Sequence, residues 1–376
     1  MRTLVLFAIS VIYILLNHCI AWRFLRYIKP ETTILSFSIA QIIFVICSMT
    51  TIVAFTMEEI YWGGIGAFGM YWFGFICIAL MILTASEIFI SVLKHVVNIQ
   101  LSTTILYAVF IINVVSIFGF FGYGILTAQN IVITQYNVAI DKNSSIPSLK
   151  IVMFSDLHLG YVNGVAHVEK IVERMNTIES DIIIIVGDLF DGNYNSVGKP
   201  EVIRDTLQKF KSNYGTYMVF GNHDAGNSFG DMKDFLESSD VIILSEESVI
   251  INDTIVLIGR KDLSPIGNQG SVERKDFDVL LPEEYNHLPI IVMDHQPAKV
   301  NEYEKADLVL AGHTHQGQIF PFSLLTKVLY DLDYGYKKND RDTQVIVSSG
   351  VGTWGPPLRL GTVSEIVEID VTFKNE

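Results

Sequence analysis

Four apolar runs fill the first third of this chain, and they constrain it more than any other feature. They cover roughly residues 3–21, 34–55, 62–85 and 104–127, each near the ~20 residues that cross a bilayer as a helix. Residues 1–128 carry Arg2, Arg23, Arg26, Lys29 and Lys94 against Glu31, Glu58, Glu59 and Glu87, a net +1, so the total of −14 leaves −15 on the remainder. The apolar and acidic parts are therefore different bodies. The expected division is a transmembrane region over 1–128, a linker over 129–148 and a soluble domain over 149–376. The mean hydropathy of +0.39 is high for a soluble protein and is concentrated in the first body. The acidic second body argues against nucleic acid as a partner.

The first run also has the length of a signal peptide. Against that, no A-x-A-like cleavage site follows it, Leu16-Asn17-His18-Cys19 is a poor lipobox, and three further runs favour an uncleaved span. Orientation follows from the basic residues. Arg23, Arg26 and Lys29 follow the first run and Lys94 the third, whereas the loop after the second holds Glu58 and Glu59 and no basic residue. Odd loops are thus inside, and everything after residue 128 is expected on the extracytoplasmic face, with Arg2 as a mild objection. Gly63, Gly64, Gly66, Gly69 and Gly74, with Gly119, Gly122 and Gly124, permit close helix contact in lipid, although ordinary glycine usage in membrane helices explains them as well. Cys19, Cys47 and Cys77 all lie in expected spans, so the soluble body has no disulfide, thiolate ligand or cysteine nucleophile.

Beyond the linker the pattern alternates strand and helix, which means an α/β domain with largely buried central strands. Strands are expected at 149–155, 181–187, 215–221, 241–245, 289–294 and 307–311, and helices near 164–178, 200–211 and 231–238. Val249 to Gly259, broken at Asn252-Asp253, reads as a hairpin, and 344–349 and 363–373 add strand. An early strand over Asn130 to Val138 and a polar turn at 141–145 are expected in the linker.

Polar residues collect where the strands end. Ser155-Asp156-Leu157-His158 follows the first, Gly187-Asp188-Leu189-Phe190-Asp191 the second and Gly221-Asn222-His223-Asp224 the third. Asp294-His295 and Gly312-His313-Thr314-His315 follow two later ones. Side chains alternate along extended backbone, so Asp156 and His158 are expected to point the same way, at a divalent cation. Sites in open α/β sheets form outside the carboxyl ends of strands. Asp-x-His alone is weak, since a polar turn after a strand explains it. Five strand ends offering Asp, His and Asn are hard to obtain from structural demands.

Taken in order, D-x-H, G-D, G-N-H-D, H and G-H-x-H resemble the calcineurin-like metallophosphoesterase superfamily, over about residues 149–370. With the apolar runs, the chain is similar to membrane-tethered members. The resemblance implies an α/β sandwich of two central β-sheets flanked by helices. It implies one metal held by Asp156, His158, Asp188 and His315, and another held by Asp188, Asn222, His295 and His313, with Asp188 bridging. Such ligands without sulfur suit Mn, Fe or Zn. Two such ions ionise a shared water and clamp phosphoryl oxygens. His223 is left to stabilise the phosphate or protonate the leaving group, with Asp224 orienting it. Asp191 and Asp294 read as turn carboxylates or partners of ligands. Arg359, in a Gly/Pro loop, is a candidate for bidentate phosphate binding, with a structural pairing as the other reading.

The expected activity is attack of metal-bound hydroxide on a phosphomonoester, phosphodiester or pyrophosphate. The rival is a receptor or transporter with a metal-binding sensor domain. The His223-Asp224 pair tells against the sensor, and the sparse charge within the spans tells against transport. A cytoplasmic enzyme of reversed topology is a further alternative. The apolar segment 319–330, close after His315, suggests a lipid-linked substrate and contact with membrane lipids, although packing as ordinary core explains it too.

Overall fold

Five consecutive aliphatic residues, Ile182–Val186, are all fully buried. A strand with no exposed residue needs cover on both faces. Ile183 and Ile185 enter one core with helices, and Ile182, Ile184 and Val186 enter another that lies between two sheets. This strand is the middle of the α/β domain. A computed structural model describes residues 2–28, 34–57, 61–264 and 273–374. It divides into a helical unit up to Leu126 and an α/β unit that starts at Thr127.

The helical unit contains α1 (Arg2–Ile28), α2 (Ile34–Thr56), α3 (Gly63–His95) and most of α4 (Thr103–Gln129). All four are long and apolar enough to cross a membrane. Gly69 lies against the backbone of α2, where a Cβ would come within 2.6 Å of the Thr50 carbonyl oxygen, and Thr51 Oγ1 donates to the Gly69 carbonyl at 2.8 Å. Close approach at a small residue is therefore seen here, whereas Gly64, Gly119 and Gly122 face open space. Of the charges behind the expected orientation, Lys29, Glu58 and Glu59 lie outside the described residues.

The α/β unit has two six-stranded sheets. The first runs β1 (Ile131–Asn143), β12 (Ser364–Lys374), β2 (Ser148–Phe154), β3 (Ile182–Val186), β4 (Thr216–Val219) and β5 (Val241–Ile243). The second runs β10 (Gly335–Lys338), β11 (Gln344–Val347), β9 (Leu308–Ala311), β8 (Ile290–Met293), β7 (Ile255–Gly259) and β6 (Glu247–Ile251). Strands β2 to β5 are parallel, as are β7, β8, β9 and β11, and β6–β7 is the expected hairpin. Helices α5 (Val165–Met175), α6 (Pro200–Leu207) and α7 (Phe229–Glu237) cover the outer face of the first sheet. In α5 the buried residues are Val168, Ile171, Val172 and Met175, the spacing of one helical face. The short α8 (Phe277–Leu280) joins the core on the outer face of the second sheet.

The residues read as a linker are mostly β1. Polar Gln135, Asn137 and Asp141 interrupt its apolar pattern, which an edge strand tolerates. Among the described residues it pairs only with β12, in parallel, Ile131 with Ser364. Because β12 runs against β2, with Val367 opposite Met153, Ser364 lies towards the carboxyl end of β2. The domain's entry strand thus begins at the sheet end that carries Asp156.

Candidate metal centre

The ligand loops leave the carboxyl ends of β2, β3, β4, β8 and β9. Their backbone is unusual. Asp156 (φ 55°), His158 (φ 51°), Asp188 (φ 53°), His313 (φ 70°) and His315 (φ 48°) are all left-handed. L-residues in this region are strained, and such residues concentrate at functional sites. The expected mechanism for Asp156 and His158, alternation along extended backbone, is therefore corrected. Strand β2 ends at Phe154, and a curled loop aims both side chains together. Gly187 (φ 77°) is required before Asp188, since a Cβ there would come within 2.5 Å of His295 Nδ1.

His158, Asp191 and His223 bring their ligand atoms within 4.8 Å of one another, and two further groups do the same. One joins Asp156, His158 and His315, and the other joins Asp188, His295 and His313. His158 Nε2 lies 3.8 Å from Asp188 Oδ2, which puts Asp188 beside both groups. Asp188 Oδ1 accepts the backbone N–H of His223 at 2.6 Å, and the Asp156 carboxylate accepts that of His313 at 3.0 Å. The first bond ties two loops of the first sheet together, and the second ties a loop of the first sheet to one of the second. His295 Nδ1 contacts the Val186 carbonyl at 2.8 Å, which leaves its Nε2 turned towards Asp188 Oδ2 at 3.1 Å.

The donor set fits divalent cations on observations independent of any motif. His158 Nε2 and His315 Nε2 face each other at 3.0 Å. Ligand–metal distances of about 2.0–2.1 Å place two nitrogens on one ion about that far apart. Asn222 Oδ1 and His295 Nε2 are buried without a hydrogen bond, a costly state that coordination relieves. Burial raises Asp156. Burial also opposes ionisation of Asp188, yet the facing His295 imidazole holds that carboxyl well below the usual range. Burial and then His295 push His313 down to about 3, and burial and then His158 hold His315 well below the ordinary imidazole value. Against burial, Asp191 and then Asp188 push His158 up, and Asp188 pushes His295 well up. Metal needs neutral imidazole, so ions bound here would displace protons from these two rings.

The remaining expected site residues are placed as follows. His223 is half-buried with its ring 5.0 Å from that of His158. Asp224 is fully buried and accepts the backbone N–H of Phe190 at 2.8 Å and of Gly221 at 2.9 Å, so it braces two ligand loops. Burial and then Asp188 push its carboxyl up to about 7. The carboxylate that faces His223 is Asp191, 4.0 Å from Nδ1, and the same oxygen lies 3.3 Å from His158 Nδ1. Asp294 is buried against Arg274 at 2.6 Å. Arg359 is corrected as a substrate contact. It is 0% exposed, and its Nη2 donates to the carbonyls of Ser349, Gly350 and Gly352 at 2.6–3.0 Å. That loop donates in turn to the Ser155 and Asp156 carbonyls. Trp354 was not anticipated. Its ring, 53% exposed, lies 5.8 Å from that of His223, and nothing in the spacing of a lone tryptophan marks it.

Two sheets whose parallel strands converge on an Asp, His and Asn cradle define an α/β sandwich with a candidate divalent-metal centre. Residues 149–317 match the calcineurin-like phosphoesterase family. A metallophosphoesterase of Helicobacter pylori is 37% identical over 231 residues, 61% of this chain and 61% of that protein. A transmembrane protein with metallophosphoesterase domain of Bos taurus is 32% identical over 284 residues, 70% of this chain and 61% of that protein. The chain thus spans less than two thirds of either relative. A metallophosphoesterase of Aquifex aeolicus is 29% identical over 245 residues, 64% of this chain and 92% of that protein. Over residues 149–317 the α/β domain of this chain is thus similar to the calcineurin-like phosphoesterase family.

Proposed function

We propose that the chain is a membrane-anchored phosphoesterase that works with two divalent cations. The observation that carries this reading is the paired clustering of Asp156, His158 and His315 with Asp188, His295 and His313. Asn222 would complete the second group, and Asp188 would serve both. Ions bound there would activate water and polarise phosphoryl oxygens. The chain's own part is positioning and proton handling. Asp224 and Arg359 hold the loops. His223, beside the cradle and bound to neither group, donates a proton to the leaving oxygen, and Asp191 holds the rings of both His158 and His223. Trp354 walls the approach. Phosphate release from p-nitrophenyl phosphate, and nitrophenol release from its diester, are the test. Activity should vanish on chelation and return with Mn, Fe or Zn. Full activity of a thoroughly stripped protein would remove the ions from the mechanism.

The finer reading is a phosphorylated lipid or lipid-linked headgroup as substrate, processed on the extracytoplasmic face. Four candidate spans, more than tethering needs, support the first part, and the basic residues at 23, 26, 29 and 94 support the second. Reporters joined after Asn143 decide the side: an exported-only reporter should be active there and a cytoplasm-only reporter silent.

A further inference from the structure

Helix α9 (Phe322–Leu329) follows the ligand His315 closely and is built inside out. None of its residues is buried. Phe322, Leu324, Leu325, Val328 and Leu329 are 54–82% exposed, and Phe320 just before it is 53% exposed. At 100° per residue these five positions share one face. The half-buried residues are polar: Ser323 and Thr326. Thr326 Oγ1 donates to Asp333 Oδ2 at 2.8 Å, and Thr314, between the two ligands His313 and His315, donates to the Asp333 carbonyl at 2.5 Å. The backbone at Phe322 and Ser323 also closes on Gly317, where a Cβ would come within 2.3 Å of the Ser323 nitrogen. The helix is thus fixed to the ligand loop by its polar side and turns its apolar side outward. Water does not stabilise that arrangement, and an apolar patch of this kind marks a contact surface.

The entry strand says what covers it. One residue, Asn130, separates the last apolar helix from β1, and one residue spans only about 3.3–3.6 Å. Strand β1 begins at Ile131, at the sheet end that carries the ligand loops. The same end holds α9, since Phe320 N–H donates to the Leu360 carbonyl at 2.9 Å, four residues before β12. A helix able to cross a membrane therefore delivers the chain at the metal end of the domain.

We propose that α9 lies in the bilayer surface with its apolar face among lipid, so that the metal centre opens at the level of the headgroups. For what the centre does there, this rests on the phosphoesterase reading above. The residues after 128 carry −15, so attraction to anionic lipid does not hold the contact. It is apolar and should persist when salt is raised.

The test uses the full chain in phosphatidylcholine vesicles, with Cys19, Cys47 and Cys77 changed to Ser. A fluorophore is placed at Val328→Cys or, for comparison, at Val279→Cys on α8. Lipid brominated near the headgroup should quench the label at 328 at low and high salt, while aqueous iodide quenches the label at 279. Iodide quenching at both positions overturns the proposal. So does shielding of 328 from both quenchers, which means that a second copy or another protein covers α9. A second arm compares substrates. Leu324→Ser with Val328→Ser should raise KM for a lipid phosphate in mixed micelles about tenfold and leave p-nitrophenyl phosphate hydrolysis unchanged. Equal effects on both substrates overturn the role of α9. An inactive protein would count against the phosphoesterase reading alone, because the quenching arm needs no turnover.

Discussion

The two halves of the cradle use the same chemistry under different conditions. In the first, Asp156, His158 and His315 are all buried, and the Nδ1 of His158 is backed by the Asp191 carboxylate at 3.3 Å. In the second, His313 is only half-buried, and the Nδ1 of His295 is backed by a backbone carbonyl at 2.8 Å. A carboxylate behind an imidazole raises its basicity more than a carbonyl does. The first half is therefore the more enclosed, and an ion held in the second would exchange more readily. Asp188 belongs to the second half by position and stands beside the first, so the two are not independent.

Asp188→Ala should show the largest effect. It should remove both ions and all hydrolysis, read by metal analysis and phosphate release, and retention of one ion would separate the halves that Asp188 is taken to join. His223→Ala should keep both ions and lower kcat by ~10²–10⁴-fold; an empty protein would make His223 a ligand. Asp191→Asn should weaken metal binding about 10–100-fold in the first half and leave the second unchanged, measured by titration of stripped protein. Equal weakening in both would erase the contrast. The smallest effect should be in kinetics: a chelator should withdraw the two ions in two phases, the faster one accelerated by His313→Ala. A single phase would show that the halves empty together.

Much of this site is legible in the sequence because each ligand closely follows a buried strand, and strand burial is written in unbroken aliphatic runs such as Ile182–Val186. The four long helices are legible for a similar reason, since length and lack of charge are local properties. What escaped depends on contacts between distant residues. The alternation argument brought Asp156 and His158 together for a reason the backbone does not use, because both residues adopt left-handed φ values in a curled loop. Asp224 stands next to His223 in sequence, yet its carboxylate is taken by the backbone N–H groups of Phe190 and Gly221. Arg359 looked available because its loop is rich in Gly and Pro, while its side chain is buried and its Nη2 is taken by that loop's own carbonyls. The segment 319–330 was readable as apolar, but only the bond between Thr326 and Asp333 tells which of its faces turns outward.

The order of strands in the first sheet has a consequence for how the protein is made. Strand β12 lies between β1 and β2, and more than two hundred residues separate the end of β1 from its start. At about 5–20 residues per second the ribosome needs roughly 10–45 s to supply them. During that interval β1 lacks the hydrogen bonds of β12, its neighbour in the sheet. A nascent chain stalled before Ser364 should therefore remain protease-sensitive from Ile131 onward.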